Sequence, residues 1–244
     1  MSILAISGGN KNKAIQHGLF RAKNSNVLLI PSACSTEASF NRKVHLLMDY
    51  FKIFGIANIA VLHDFEEKPS SDKIQEYIGK AGLAYIIGGN TPYMLKNIKD
   101  HGSDAEITKA ESNGLVLAGT SAGAILPFRY GQSNPEPKPS EKPWDFEYIE
   151  GLGIINAVIG VHAKKHDSTP NGPRQQSRLE HFMDTSINFS ETAVSLDDGI
   201  AIDVDSDGAF VIGSDPNANA HLIYKDNHTE VTDGDFISTI NTQS

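Results

Sequence analysis

Five short apolar runs separated by stretches of helical periodicity constrain the fold of this chain more than any other feature. Ile3–Ser7, Val27–Pro31, Ile59–His63, Leu83–Ile87 and Leu115–Ala118 are rich in β-branched residues and read as buried strands. Between two of them, Phe40–Phe54 places Val44, Leu47, Met48, Phe51 and Phe54 at spacings of three and four, the stripe of a helix packed on a sheet. Strands that alternate with helices require right-handed crossovers. The expected fold class is therefore α/β, a mostly parallel sheet covered by helices on both faces. Asn156–Val161, Ala193–Leu196 and Gly199–Val204 continue the strands, with a helix near Arg174–Met183. Ala209–Ile212 and Ala220–Tyr224 look like a C-terminal antiparallel extension. Internal repeats and linkers are absent, so residues 1–244 are expected to form a single α/β domain.

The net charge of −9 argues against nucleic-acid and anionic-membrane partners, both of which need a basic face. It leaves room for an acidic small substrate, because one or two arginines can reverse the field inside a cleft. The single cysteine, Cys34, excludes an intrachain disulfide and a Cys-rich zinc site. The first residues carry no basic n-region, and no apolar run approaches the ~20 residues that span a bilayer. A soluble cytoplasmic protein is the expectation. Pro135, Pro137, Pro139 and Pro143 mark Gln132–Pro143 as a surface loop, either a rim or lid or a tolerated insertion.

Gly119-Thr120-Ser121-Ala122-Gly123 is the strongest chemical signal. An apolar strand precedes it, and Ala124-Ile125-Leu126 can begin a helix after it, which is the context of a nucleophile elbow. So sharp a turn exposes the hydroxyl of Ser121 and frees the amide of Ala122 for an oxyanion. Gly88 and Gly89 end another strand, where their amides can approach a ligand, with Asn90 or Thr91 capping the next helix. A serine nucleophile needs a base, and His162 lies at a strand end, the same kind of edge as Ser121. His63, His166, His221 and His228 are the other histidines weighed for the role. Asp197-Asp198-Gly199 could supply the orienting carboxylate or be a plain Asp-Gly turn. The acidic Asp203–Gly208 stretch lacks the downstream Glu of a calcium loop and reads as a β-turn.

Together these segments resemble the serine peptidase family that contains aspartyl dipeptidase (peptidase E) and cyanophycinase. Ile87-Gly88-Gly89-Asn90-Thr91 with Met94-Leu95, Gly119–Ala124, Gly151-Leu152-Gly153-Ile154-Ile155 running to His162, and Leu196-Asp197-Asp198-Gly199 match in order. The resemblance implies a class I glutamine amidotransferase-like fold with serine at the elbow. It implies Ser121 as nucleophile, His162 as general base and acid, and Asp198 as the third acid, with Asp197 its rival. Gly88 or Gly89 and Ala122 would form the oxyanion hole. Asn90, Arg174 and Arg178 are the substrate-binding candidates, the arginines for an acidic side chain. The activity implied is hydrolysis of short peptides through an acyl-enzyme, with dipeptides bearing N-terminal Asp among the expected substrates. No cofactor or metal is needed; the partner is a small peptide, and a homodimer is compatible with the sequence. The competing readings are an α/β-hydrolase-type esterase using Asp198 with His221 or His228, an amidotransferase-like domain, and a non-catalytic peptide-binding relative.

Overall fold

The computed structural model describes residues 2–111, 114–134, 146–164, 177–225 and 227–242. Its elements, in chain order, are β1 (Ser2–Ile6), α1 (Asn12–Arg21), β2 (Val27–Ile30), α2 (Glu37–Ile53), β3 (Ile59–Val61), α3 (Ser71–Lys80) and β4 (Leu83–Ile86). Then come α4 (Thr91–His101), α5 (Ser103–Glu111), β5 (Val116–Thr120), α6 (Ala122–Ile125), β6 (Phe128–Ser133), β7 (Glu147–Glu150) and β8 (Ile155–Val161). The last are α7 (Arg178–Ser186), β9 (Thr192–Leu196), β10 (Ile200–Val204), β11 (Ala209–Gly213), β12 (Ala220–Tyr224), β13 (Asn227–Val231) and β14 (Phe236–Ile237).

The first sheet has the order β14-β11-β10-β1-β5-β4-β2-β3. Its β1-β5-β4-β2-β3 portion is parallel, and β10, β11 and β14 extend it antiparallel. Period-two alternation assigns each strand's residues to opposite faces. Ile3, Ala5, Leu28, Ile30, Ala84, Ile86 and Leu117 enter one apolar cluster with Ile74, Met94, Ile98 and Ile107 from α3, α4 and α5. Their neighbours Leu4, Ile6, Val27, Leu29, Leu83, Tyr85, Val116 and Ala118 enter the other, with Ile15 of α1 and Phe40, Val44, Leu47 and Phe51 of α2. Both faces are thus covered by helices, which is why these strands are apolar throughout rather than alternating.

The helices begin where the sequence supplies caps. Thr36, Ser70 and Asn90 accept the amides of Ser39, Lys73 and Tyr93, and Ser177 forms a capping box with Glu180 ahead of α7. Gly102 ends α4 in a left-handed conformation (φ 71°), which a glycine adopts without a Cβ penalty.

A second sheet, of order β13-β12-β9-β8-β6-β7, was not legible as a separate layer in the sequence. Ile155, Ala157, Ile159, Val161, Val194 and Leu196 from this sheet join the same cluster as Ile3 and Leu117, so the two sheets share one core. The proline-rich loop also needs adjustment at its start: Gln132 and Ser133 belong to β6 and are buried. Residues 135–143 of that loop lie outside the described residues. Of the Asp203–Gly208 stretch, Asp203 and Val204 belong to β10 and only residues 205–208 form the β10–β11 turn, with Asp205 N donating to Gly208 O, and Asp203 and Asp205 are tied to His17 and Arg21. No helix among the described residues is long and apolar enough to cross a membrane.

Candidate active site

The ends of four strands converge at one point. β5 delivers Ser121, β8 delivers His162, β9 leads to Asp198, and β1 leads to Ser7 and Gly8. Two pairings beyond the strands draw them together: Ser121 N donates to Ile6 O, and Gly199 N donates to Gly8 O.

Ser121 has φ 57° and ψ −116°, the strained backbone expected of a residue forced between a strand and a helix. Such conformations cost about 1–3 kcal/mol and persist only where surrounding contacts impose them. The turn is closed by contact: a Cβ on Gly119 would lie 2.2 Å from the carbonyl oxygen of Gly123. His162 is a second non-glycine residue on the left-handed side, with φ 60°. Its backbone amide donates to Ser7 Oγ at 2.7 Å, and the next amide, of Ala163, donates to Leu196 O.

Ser121 Oγ lies 2.9 Å from His162 Nε2, and His162 Nδ1 lies 2.5 Å from Asp198 Oδ1. With the Nδ1 proton donated to the carboxylate, Nε2 is left as the acceptor of the serine proton. The His162 side chain is 18% exposed and that of Asp198 41%, so the pair opens to solvent on one side. Ser7, fully buried, donates to Leu196 O at 3.0 Å and lies 3.3 Å from Asp198 Oδ1. Ser7 belongs to none of the sequence motifs that mark the site. Its signal was there: a strand end followed by paired glycines, the pattern also seen at Gly88.

Gly88 abuts the elbow closely, and a Cβ on it would lie 2.5 Å from Thr120 O and 3.1 Å from Ser121 Cβ. Among the described residues, the amides of Gly88 and Gly89 donate no hydrogen bond. Ala122 opens α6, so its amide has no partner within the helix. That helix has only four residues, so few peptide dipoles align behind the amide and its own hydrogen bond must carry any oxyanion stabilisation. Thr120, just before Ser121, shares a short hydrogen bond with the buried Tyr85 hydroxyl, whose pKa burial raises.

Asn90 and Arg178 have protein partners of their own. Asn90 caps α4, its side-chain oxygen accepting from Tyr93 N at 2.9 Å. Arg178 is 4% exposed; it donates to Asn134 Oδ1 at 2.6 Å and lies 4.4 Å over the Phe146 ring. That placement ties α7 to the end of β6. Arg174 and His166 lie outside the described residues. His63 Nδ1 donates to the Asp64 carbonyl at 2.8 Å, and its Nε2 lies 3.3 Å from Ser32 Oγ.

Asp197, the rival third acid, faces the other way. Its Oδ2 accepts from Asn219 N and Lys164 Nζ, and its Oδ1 lies 3.3 Å from His221 Nε2. His221 is 1% exposed and stacks on His228, so the histidines of the esterase reading gather around Asp197 and not around Asp198. Cys34 is buried, and burial pushes its thiol up against the opposing pull of the Lys43 ammonium and a hydrogen bond from Ser39. A thiol of that kind is a poor nucleophile. No cluster of metal-binding side chains occurs among the described residues.

The family model described as peptidase family S51 matches residues 3–212. The chain belongs to that family. Its fold, the α/β class anticipated from the strand–helix alternation, is that of this group of serine-type peptidases. An uncharacterized peptidase of Bacillus subtilis (strain 168), YgaJ, is 24% identical over 199 residues, covering 81% of this chain and 80% of its own. A second uncharacterized peptidase, Lin0382 of Listeria innocua serovar 6a, is 32% identical over 83 residues, 33% of this chain and 40% of its own. Among solved structures, a peptidase from an acI-B1 Actinobacterium superposes with a TM-score of 0.71 at 18% identity, covering 97% of this chain and 96% of the other.

Proposed function

We propose that the chain hydrolyses short peptides through Ser121, His162 and Asp198, by way of an acyl-enzyme. The observation that carries this reading is the continuous chain from a strained Ser121 through His162 to Asp198, at 2.9 and 2.5 Å. Ser121 Oγ bonds to the scissile carbonyl carbon while its proton passes to His162 Nε2. The carbonyl π pair moves onto oxygen, facing the amides of Ala122 and of Gly88 or Gly89. As the tetrahedral intermediate collapses, the C–N bond breaks and His162 returns the proton to the departing amine. Water then attacks the ester carbonyl, giving its proton to His162, and the C–Oγ bond breaks as Ser121 regains a proton. Asp198 stays ionised throughout and stabilises the imidazolium.

An N-terminal Asp preference rests on the family resemblance and on Arg174, because the guanidinium of Arg178 is packed on Phe146 and bound to Asn134. The test is a panel of di- and tripeptides, half beginning with Asp, incubated with wild type and Ser121→Ala, with released amino acids quantified. Cleavage by wild type alone supports the peptidase. Equal cleavage by Ser121→Ala sinks the triad. Cleavage without preference for Asp-first peptides removes the acidic specificity and leaves the chemistry.

A further inference from the structure

We propose that Lys43 is a positioning residue for the oxyanion hole, acting by fixing the plane of the Gly88–Gly89 peptide. This rests on the peptidase reading of the site and adds a residue to it. Lys43 belongs to α2, on the rim of the face that buries Val44 and Leu47, and is itself half-buried. It crosses from that helix to donate from Nζ to Gly88 O at 2.6 Å. A charge-assisted bond of this length is roughly twice as strong as a neutral one.

The consequence follows from the geometry of one peptide group. The Gly88 carbonyl and the Gly89 amide belong to the same planar trans unit, in which C=O and N–H point in opposite directions. Holding the carbonyl toward Lys43 therefore turns the Gly89 N–H away from Lys43 and frees it for an incoming oxygen. Glycines on both sides give this peptide little resistance to rotation by 180°. A flipped peptide would present a carbonyl oxygen where a negative charge develops, which repels the transition state instead of stabilising it.

The neighbouring peptides are anchored independently. Ile87 N donates to Ile30 O and Asn90 N donates to Ala33 O, at 3.0 Å each. A Cβ on Gly89 would lie 2.2 Å from Ala33 O, so the segment is seated against the turn after β2. Both anchors use amides outside the Gly88–Gly89 unit. Lys43 alone, among the described residues, holds that unit's carbonyl.

The experiment compares wild type, Lys43→Met, Lys43→Arg and Ser121→Ala. It measures kcat and KM on a peptide or ester that wild type cleaves, the rate at which a fluorophosphonate labels Ser121, and thermal melting. Because the oxyanion exists only in the transition state, Lys43→Met should lower kcat by about 10–100-fold with KM nearly unchanged. Phosphonate labelling should slow in parallel, the melting temperature should hold, and Lys43→Arg should recover much of the loss. Lys43→Gln, which retains a neutral donor, substitutes for the methionine variant if that variant does not fold. Wild-type kcat and labelling in Lys43→Met, or a loss confined to KM, would overturn the proposal. An active Ser121→Ala would instead overturn the underlying reading of the site, so the two failures are distinct.

Discussion

Asp197 and Asp198 are consecutive in the chain, yet their carboxylates serve different histidines. Asp198 Oδ1 lies 2.5 Å from His162 Nδ1, and Asp197 Oδ1 lies 3.3 Å from His221 Nε2. Successive side chains near a strand end point to opposite sides of the backbone, and here the alternation separates two jobs. Burial pushes the Asp197 carboxyl up, but hydrogen bonds from His221, Lys164 and the Asn219 amide outweigh it and hold the carboxyl below its usual range.

The two substitutions should therefore separate. Asp198→Asn is expected to reduce turnover by roughly four orders of magnitude, as loss of the tautomer-fixing acid does in such triads, with little change in melting. Asp197→Asn should cost about 1–3 kcal/mol of stability and leave more of the activity. The stabilisation from Asp197 is present above the unfolded carboxyl value and lost as pH falls through its lower folded value. Comparing kcat and thermal melting for both variants decides the matter; a Asp197→Asn enzyme as inactive as Asp198→Asn would contradict this assignment.

Gly8 is where the two sheets press the site together. A Cβ there would lie 2.5 Å from Asp198 Oδ1 and 2.7 Å from His162 Cε1. Gly8→Ala should displace the acid–imidazole pair and reduce kcat by about 100-fold, the cost of an ångström-scale misplacement. Steady-state kinetics beside a melting curve is the check, and wild-type kcat would show that the pair can shift without loss.

Ser7 should matter to His162 without touching substrate. Its hydroxyl is the acceptor for the His162 amide and is fully buried. Ser7→Ala leaves that part-buried amide without this partner, which costs about 1 kcal/mol. The left-handed backbone of His162 then loses one of its restraints, and turnover should fall roughly 10-fold or more. Chemical denaturation and kcat on the same preparation test both halves.

His63 links stability to mild acid. Burial lowers its pKa, with the Asp64 carbonyl bond opposing the shift. His101, whose ring lies 5.3 Å away, is lowered by burial and by His63. A histidine lowered in the folded state contributes stability that is present above its unfolded value, near 6.5. That contribution is lost progressively as pH falls below that value. Melting temperature should therefore drop between pH 7.5 and pH 5.5, by about 2–4 °C for each kcal/mol lost, and His63→Gln should flatten the slope. An unchanged slope in the variant would assign the acid sensitivity to other groups.

The sequence already carried the strand–helix alternation, the elbow at Ser121 and the paired glycines at Gly88, because these are local. Apolar period, cap residues and a turn that tolerates only small neighbours are all written within a few residues of one another. It also placed His162 and an Asp-Asp pair at strand ends. What it could not decide was which aspartate, since both sit in one turn and only the histidine that each carboxylate meets in the folded chain distinguishes them. Nor could it show the second sheet, because a strand such as β6 or β8 looks the same whichever layer its hydrogen bonds join. Ser7 and Lys43 were hidden for a related reason. Ser7 reaches His162 across 155 residues and Lys43 reaches Gly88 across 45, and contacts that distant exist only after the strand ends have been brought to one point.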